Sequence, residues 1–104
     1  MGEYNPELEE GVGPEVGEEL KEPAMYKVLL LNDDYTAMDF VIEVLRFVFH
    51  KSIEDATQIM LNVHHNGVGL CGIYSYEVAE TKTNTTGALA RERGFPLKCI
   101  MERE

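Results

Sequence analysis

The chain has 104 residues, 44% of them hydrophobic, and a formal charge of −10. That length fits one domain with a modest core, and the acidic balance excludes partners that need clustered Lys and Arg, namely nucleic acid and anionic membrane surfaces. No apolar run approaches a membrane span, the first residues show no basic, apolar leader pattern, and Cys71 and Cys99 sit in apolar contexts that read as buried free thiols rather than a disulfide, so a cytoplasmic setting is expected.

Residues 1–24 carry eight Glu and one Lys, hence −7 of the total −10, and are broken by Gly2, Pro6, Gly11, Gly13, Pro14, Gly17 and Pro23. Tyr4, Leu8, Val12, Val16 and Leu20 recur every four residues, but the glycines and Pro14 oppose a helix. The segment reads as a flexible acidic arm, and residues 25–104 as the folded domain.

Met25 to Leu31 has the composition of a strand. Thr36, three residues before Asp39, predicts a capping-box start for a helix running to about His50, with Phe40, Val41, Val44, Leu45 and Val48 at helical spacing. Ser52 and Asp55 repeat the pattern for a second helix from Ile53 to about His65, and Asn66-Gly67 supplies a left-handed stop. Val68 to Tyr74 reads as a second strand, with Gly69 and Gly72 marking a bulge or a close backbone approach. Ser75 predicts the cap of a third helix, weakened over Thr83 to Gly87 and stopped by Gly94 and Pro96. Leu97 to Glu102 is the last strand. The order βααβαβ implies an α+β domain: one three-stranded antiparallel sheet with three helices packed on one face and the other face wet.

Chemistry concentrates around Asn32-Asp33-Asp34, a polar run between the first strand and the first helix. Asn and Asp are ordinary turn formers, and a plain strand-to-helix turn accounts for them by itself. His64, four residues after Met60 on the second helix, is equally accounted for by the helix dipole. His50, His64 and His65 form no metal-ligand spacing, so neither a metal nor a cofactor is expected. No nucleophile motif, phosphate loop or oxyanion hole accompanies the acids, and an enzyme is not expected. What fits best is a binding site that joins amide, carboxylates and imidazole to the apolar side chains of Met38, Met60, Val63 and Leu97, offering acceptors to a cation and walls to a hydrophobic group. A rival reading is an interaction domain that uses the same acidic loop for some other basic partner.

The run Met25-Tyr26-Lys27-Val28-Leu29-Leu30-Leu31-Asn32-Asp33-Asp34-Tyr35-Thr36-Ala37-Met38-Asp39-Phe40-Val41 resembles the opening of the ClpS adaptor family. The resemblance continues through Ala56-Thr57-Gln58-Ile59-Met60-Leu61-Asn62-Val63-His64, Gly67, Cys71-Gly72 and Glu77-Val78-Ala79-Glu80-Thr81-Lys82. It implies an adaptor for N-degrons, proteins that begin with Leu, Phe, Tyr or Trp, which it hands to the N-domain of a ClpA-type AAA+ unfoldase for degradation by ClpP. The resemblance further implies that Asn32, Asp33, Asp34 and His64 hold the α-ammonium and that Thr36, Met38, Met60, Val63 and Leu97 line the side-chain pocket, with Met38 as its gate. Glu77 and Lys82 match positions that meet the unfoldase, and the acidic arm matches an extension needed for delivery; a monomer is expected. Ala37 stands where the family commonly has Pro, and Ala, a good helix former, is expected to be accepted in the first helical turn.

Overall fold

The computed structural model describes residues 23–104. The expected arm falls almost entirely on residues 1–22, outside the described residues. The strands are β1 (Met25–Leu31), β2 (Val68–Ser75) and β3 (Lys98–Arg103), and the helices are α1 (Met38–Phe47), α2 (Ile53–Asn66) and α3 (Tyr76–Arg93), in the expected order βααβαβ. They form one antiparallel sheet with β1 in the centre, in the order β2-β1-β3. Alternation along β1 turns Val28 and Leu30 into a core closed by Phe40, Val44 and Leu45 of α1, Ala56 and Met60 of α2, and Ala79 and Ala90 of α3. α2 and α3 pack on the strands, and α1 packs on α2. The opposite face is open, as expected of such a sheet, but it is not polar: Val68, Leu70 and Ile73 stand exposed there.

Several local expectations change. Thr36 does not cap α1. The N-cap is Ala37, with φ −66° and ψ 138° and no side-chain bond, because the Thr36 hydroxyl donates instead to Asp33. The helix also ends at Phe47 rather than His50, whose φ of 57° is incompatible with continuing it. Ser52 does cap α2, accepting from the Asp55 amide at 3.1 Å, and Gly67 closes that helix with φ 86°. Ser75 occupies the N-cap of α3 without using its side chain. β3 begins one residue later than expected, leaving Leu97 just outside the ladder.

The anticipated irregularity in β2 is a bulge: Val28 pairs with Gly72 and Leu29 with Leu70, so Cys71 is the extra residue. Gly69 is the close approach. A Cβ there would lie 2.5 Å from Val63 Cγ2 and 3.1 Å from the Ile59 carbonyl, so the missing side chain is what lets α2 settle on β2. α3 runs unbroken through its poor helix formers because Ala79, Thr86 and Ala90 are buried against the sheet, and tertiary packing outweighs local propensity. Cys71 and Cys99 are free thiols; burial pushes both pKa values up, which makes them poor nucleophiles.

Candidate functional site

A cavity of about 210 Å³ opens where β1 ends, between α1, α2 and the residue that precedes β3. It is smaller than the roughly 300–1,000 Å³ of pockets for drug-sized ligands, and its scale suits a single side chain. Its deep walls are Val41 from α1, Met60 and Val63 from α2, and Leu97, all of them buried. Helical periodicity places Met60 and Val63 on the same face of α2, and His64 continues that strip to the rim. Met38, the first residue of α1, is 44% exposed and stands at the mouth.

The polar rim comes from the β1–α1 loop, whose shape is dictated by Asp33. Its Oδ1 accepts from the amides of Tyr35 at 2.8 Å and Thr36 at 2.7 Å, and its Oδ2 accepts from Thr36 Oγ1 at 2.7 Å. This is an Asx-type turn, in which a short carboxylate substitutes for backbone partners. Burial pushes the Asp33 carboxyl up, but the Thr36 hydroxyl and the two amides outweigh it and hold the group below the usual carboxylate range. Asn32 is tied through its main chain: its amide donates to the Gly67 carbonyl at 3.0 Å, fixing the loop to the end of α2. Among the described residues, the side chains of Asn32, Asp34 and His64 make no hydrogen bond, and all three line the cavity.

The cavity thus gathers Asn32, Asp33, Asp34, Thr36, Met38, Met60, Val63, His64 and Leu97, every residue the sequence assigned to a binding site. Leu31 and Val41 also line it and were not anticipated. Val41 lies one helical turn from Met38 and carries the same periodic signal as the core, so nothing in the sequence marks it out. The arrangement presents acceptors beside an apolar recess. Its one hydroxyl–carboxylate pair, Thr36 with Asp33, is spent on the loop, and among the described residues no three His, Cys, Asp or Glu side chains converge as metal ligands.

Glu77 and Lys82 lie elsewhere, with Val78 and Thr81 around a shallow depression at the start of α3. Lys82 has a structural bond that the sequence did not suggest. Its Nζ donates to the Val48 carbonyl at 2.7 Å, just past α1, and rests 5.7 Å from the Phe49 ring centroid and 5.4 Å from that of Tyr74.

Comparison with known proteins places these features in context. Residues 21–100 match the family model described as ATP-dependent Clp protease adaptor protein ClpS. The ATP-dependent Clp protease adapter protein ClpS of Maricaulis maris is 56% identical over 99 residues, covering 93% of this chain and 91% of the relative. The protein of the same name from Desulfatibacillum aliphaticivorans is 61% identical over 82 residues, covering 79% of each chain. Among solved structures, Agrobacterium tumefaciens ClpS2 bound to L-phenylalaninamide superposes with a TM-score of 0.78 at 40% identity, covering 80% of this chain and 100% of that one.

Proposed function

This chain belongs to the ClpS family of ATP-dependent Clp protease adaptor proteins, which are not enzymes, and from that premise we propose that it binds N-degrons by their first residue. One observation carries the reading: Asn32, Asp34 and His64, whose side chains make no hydrogen bond among the described residues, ring a recess sized for one side chain. L-phenylalaninamide, the molecule on the Agrobacterium relative, joins a free α-amine to an aromatic side chain and has the two halves that such a site complements.

In this mechanism the side chain of a Leu, Phe, Tyr or Trp at position one enters between Met60, Val63 and Leu97. Burying it contributes roughly 1.5–3 kcal/mol. That is too little for useful recognition, so the ammonium must add to it. Its three N–H groups donate to the Asn32 carbonyl oxygen, an Asp34 oxygen and a His64 ring nitrogen, and charge-assisted bonds of this kind are stronger than neutral ones. Asp33 contributes negative charge at the rim while its oxygens hold the loop. Thr36 locks Asp33, and Met38 stands as a gate whose bulk disfavours β-branched side chains.

The adaptor then delivers the substrate, through Glu77, Lys82 and the acidic segment 1–24, to the N-domain of a ClpA-type unfoldase feeding ClpP, and it does so in the cytoplasm. Among the described residues no helix is long and apolar enough to cross a membrane.

Fluorescence anisotropy with peptides that differ only in residue one tests the reading. Phe- and Leu-started peptides are expected to bind, and Glu-started ones to fail. Acetylation removes the charge and two of the three donors, so it should abolish binding. Equal binding of all four would replace this reading with a generic acidic surface.

A further inference from the structure

We propose that Arg93 and Glu43 are positioning residues: they latch the end of α3 to α1 and thereby set the width of the pocket. The inference rests on the reading of that pocket as the seat of a substrate's first side chain.

The pocket's apolar walls come from parts of the chain with no ladder between them. Met38 and Val41 belong to α1, whereas Leu97 follows the turn that ends α3. Side-chain contacts connect α1 and α3. Among the described residues two polar bridges join them. Lys82 binds the Val48 carbonyl at the end far from the pocket, and Arg93 Nη2 donates to Glu43 Oε2 at 2.6 Å at the near end.

Around the second bridge the contacts converge on the pocket walls. The Arg93 guanidinium lies 5.3 Å from the centroid of the Phe40 ring, within cation–π range. The same ring packs against Phe95 at 5.0 Å, tilted by 38°. Phe40 is the residue before Val41, and Phe95 is two before Leu97, so a shift at this cluster reaches both walls within two residues of chain. The turn between them is fixed: Gly94 has φ 77°, and the Phe95 amide donates to the Ala90 carbonyl at 2.8 Å. Arg93 is thus the last helical residue before a rigid turn, and its bond to Glu43 controls how far Leu97 stands from α1.

Both partners are close to half exposed. An exposed pair contributes little to global stability, so the latch should act on pocket shape rather than on folding. Arg also brings a planar face to Phe40 that Lys lacks, so the two should not be interchangeable here.

The test uses the full chain and the variants Arg93→Met, Arg93→Lys, Glu43→Gln and the Arg93→Met/Glu43→Gln pair. Affinities for Leu-started and Phe-started peptides and the thermal midpoint are measured for each. A loosened wall loses contact with the smaller side chain first, so the Phe-over-Leu preference should rise about two- to fivefold, the range an exposed pair can supply. The double variant should match the Arg93→Met variant, Arg93→Lys should fail to restore the native ratio, and the midpoint should barely move. An unchanged ratio in variants whose parent binds both peptides, or a uniform loss that tracks a lowered midpoint, would overturn the latch alone. Absence of peptide binding by the unaltered chain would overturn the reading of the pocket, and the latch with it.

Discussion

The mouth of the pocket and the first turns of α3 both bring carboxylates and apolar side chains to the surface, yet their charged groups are committed differently. At the pocket, Asp33 is consumed by its own loop through three short bonds, and the side chain of Asp34 beside it has none among the described residues. At α3 the cation is the committed partner: Lys82 is held by the Val48 carbonyl and two aromatic rings, and Glu77 has no such attachment among the described residues. The pocket is concave and its open groups converge, whereas the α3 depression is shallow. On the proposed reading, the first captures a small cation with a side chain attached and the second lies against a larger surface. At the pocket, the more committed of two adjacent acids shapes the loop that carries the other.

The most severe way to break the contrast is to disturb the floor on which only the pocket depends. Gly69→Ala should push α2 away from β2, since a Cβ there meets the Ile59 carbonyl, which cannot swing aside. Overpacking of this kind costs about 1–3 kcal/mol. Denaturant titration should show that loss, and peptide binding should fall with it while Glu77 and Lys82 keep their geometry.

Asp34 and Asp33 separate binding from scaffolding. Asp34→Ala should weaken a Phe-started peptide by about tenfold or more, as expected for losing a bond to a charged group, with the thermal midpoint unchanged. Asp33→Asn should instead loosen the Tyr35 and Thr36 amides, visible as faster hydrogen exchange there. Because the folded pKa of Asp33 lies below its ordinary 3.8, its stabilisation of the loop is complete above that value and is lost as pH falls through the lowered one. Amide protection at Thr36 measured from pH 6 down to 2 should follow that course, and a flat profile would remove Asp33 from its scaffolding role.

At α3 the expected change is of similar kind and smaller. Lys82→Met should cost about 1 kcal/mol in chemical denaturation, from the lost bond to the Val48 carbonyl. Glu77→Gln should leave stability untouched and reduce only association with the unfoldase. Equal loss of association in both variants without destabilisation of Lys82→Met would show that the Lys82 clamp is not structural. The smallest effect is a gain. Ala37 already has φ −66°, the value a proline ring imposes, so Ala37→Pro should stabilise by about 0.4–1 kcal/mol by restricting the unfolded chain.

The ordering of elements was legible in the sequence because each carries its own local signal. Val28 and Leu30 alternate, Phe40 to Val48 repeat with helical period, and Gly67 and Gly94 stop helices with left-handed φ values. The residues that line the cavity were legible in large part as a set, since the polar loop and the apolar strip of α2 carry most of them. What escaped were choices made in three dimensions. Thr36 had two available partners, a helix amide and the Asp33 carboxylate, and only the folded loop shows that the carboxylate wins. Lys82 and Val48 are 34 residues apart, and Arg93 and Glu43 are 50 apart, so no local pattern announces either bond. α3 looked weak because propensity weighs Thr83 to Gly87 against helix, while burial of Ala79, Thr86 and Ala90 holds the helix on the sheet.

The bond from the Asn32 amide to the Gly67 carbonyl has a consequence for how such a pocket can diverge. It joins the loop that bears Asn32 and Asp34 to the end of the helix that bears His64, and it uses main-chain atoms alone. The spacing of the proposed amine seat is therefore indifferent to which side chains stand around it. On that reading, substitutions at Met38, Met60 or Leu97 should retune which first residue is admitted without moving the groups proposed to grip the terminus. Recognition of an end and recognition of a residue become separately adjustable.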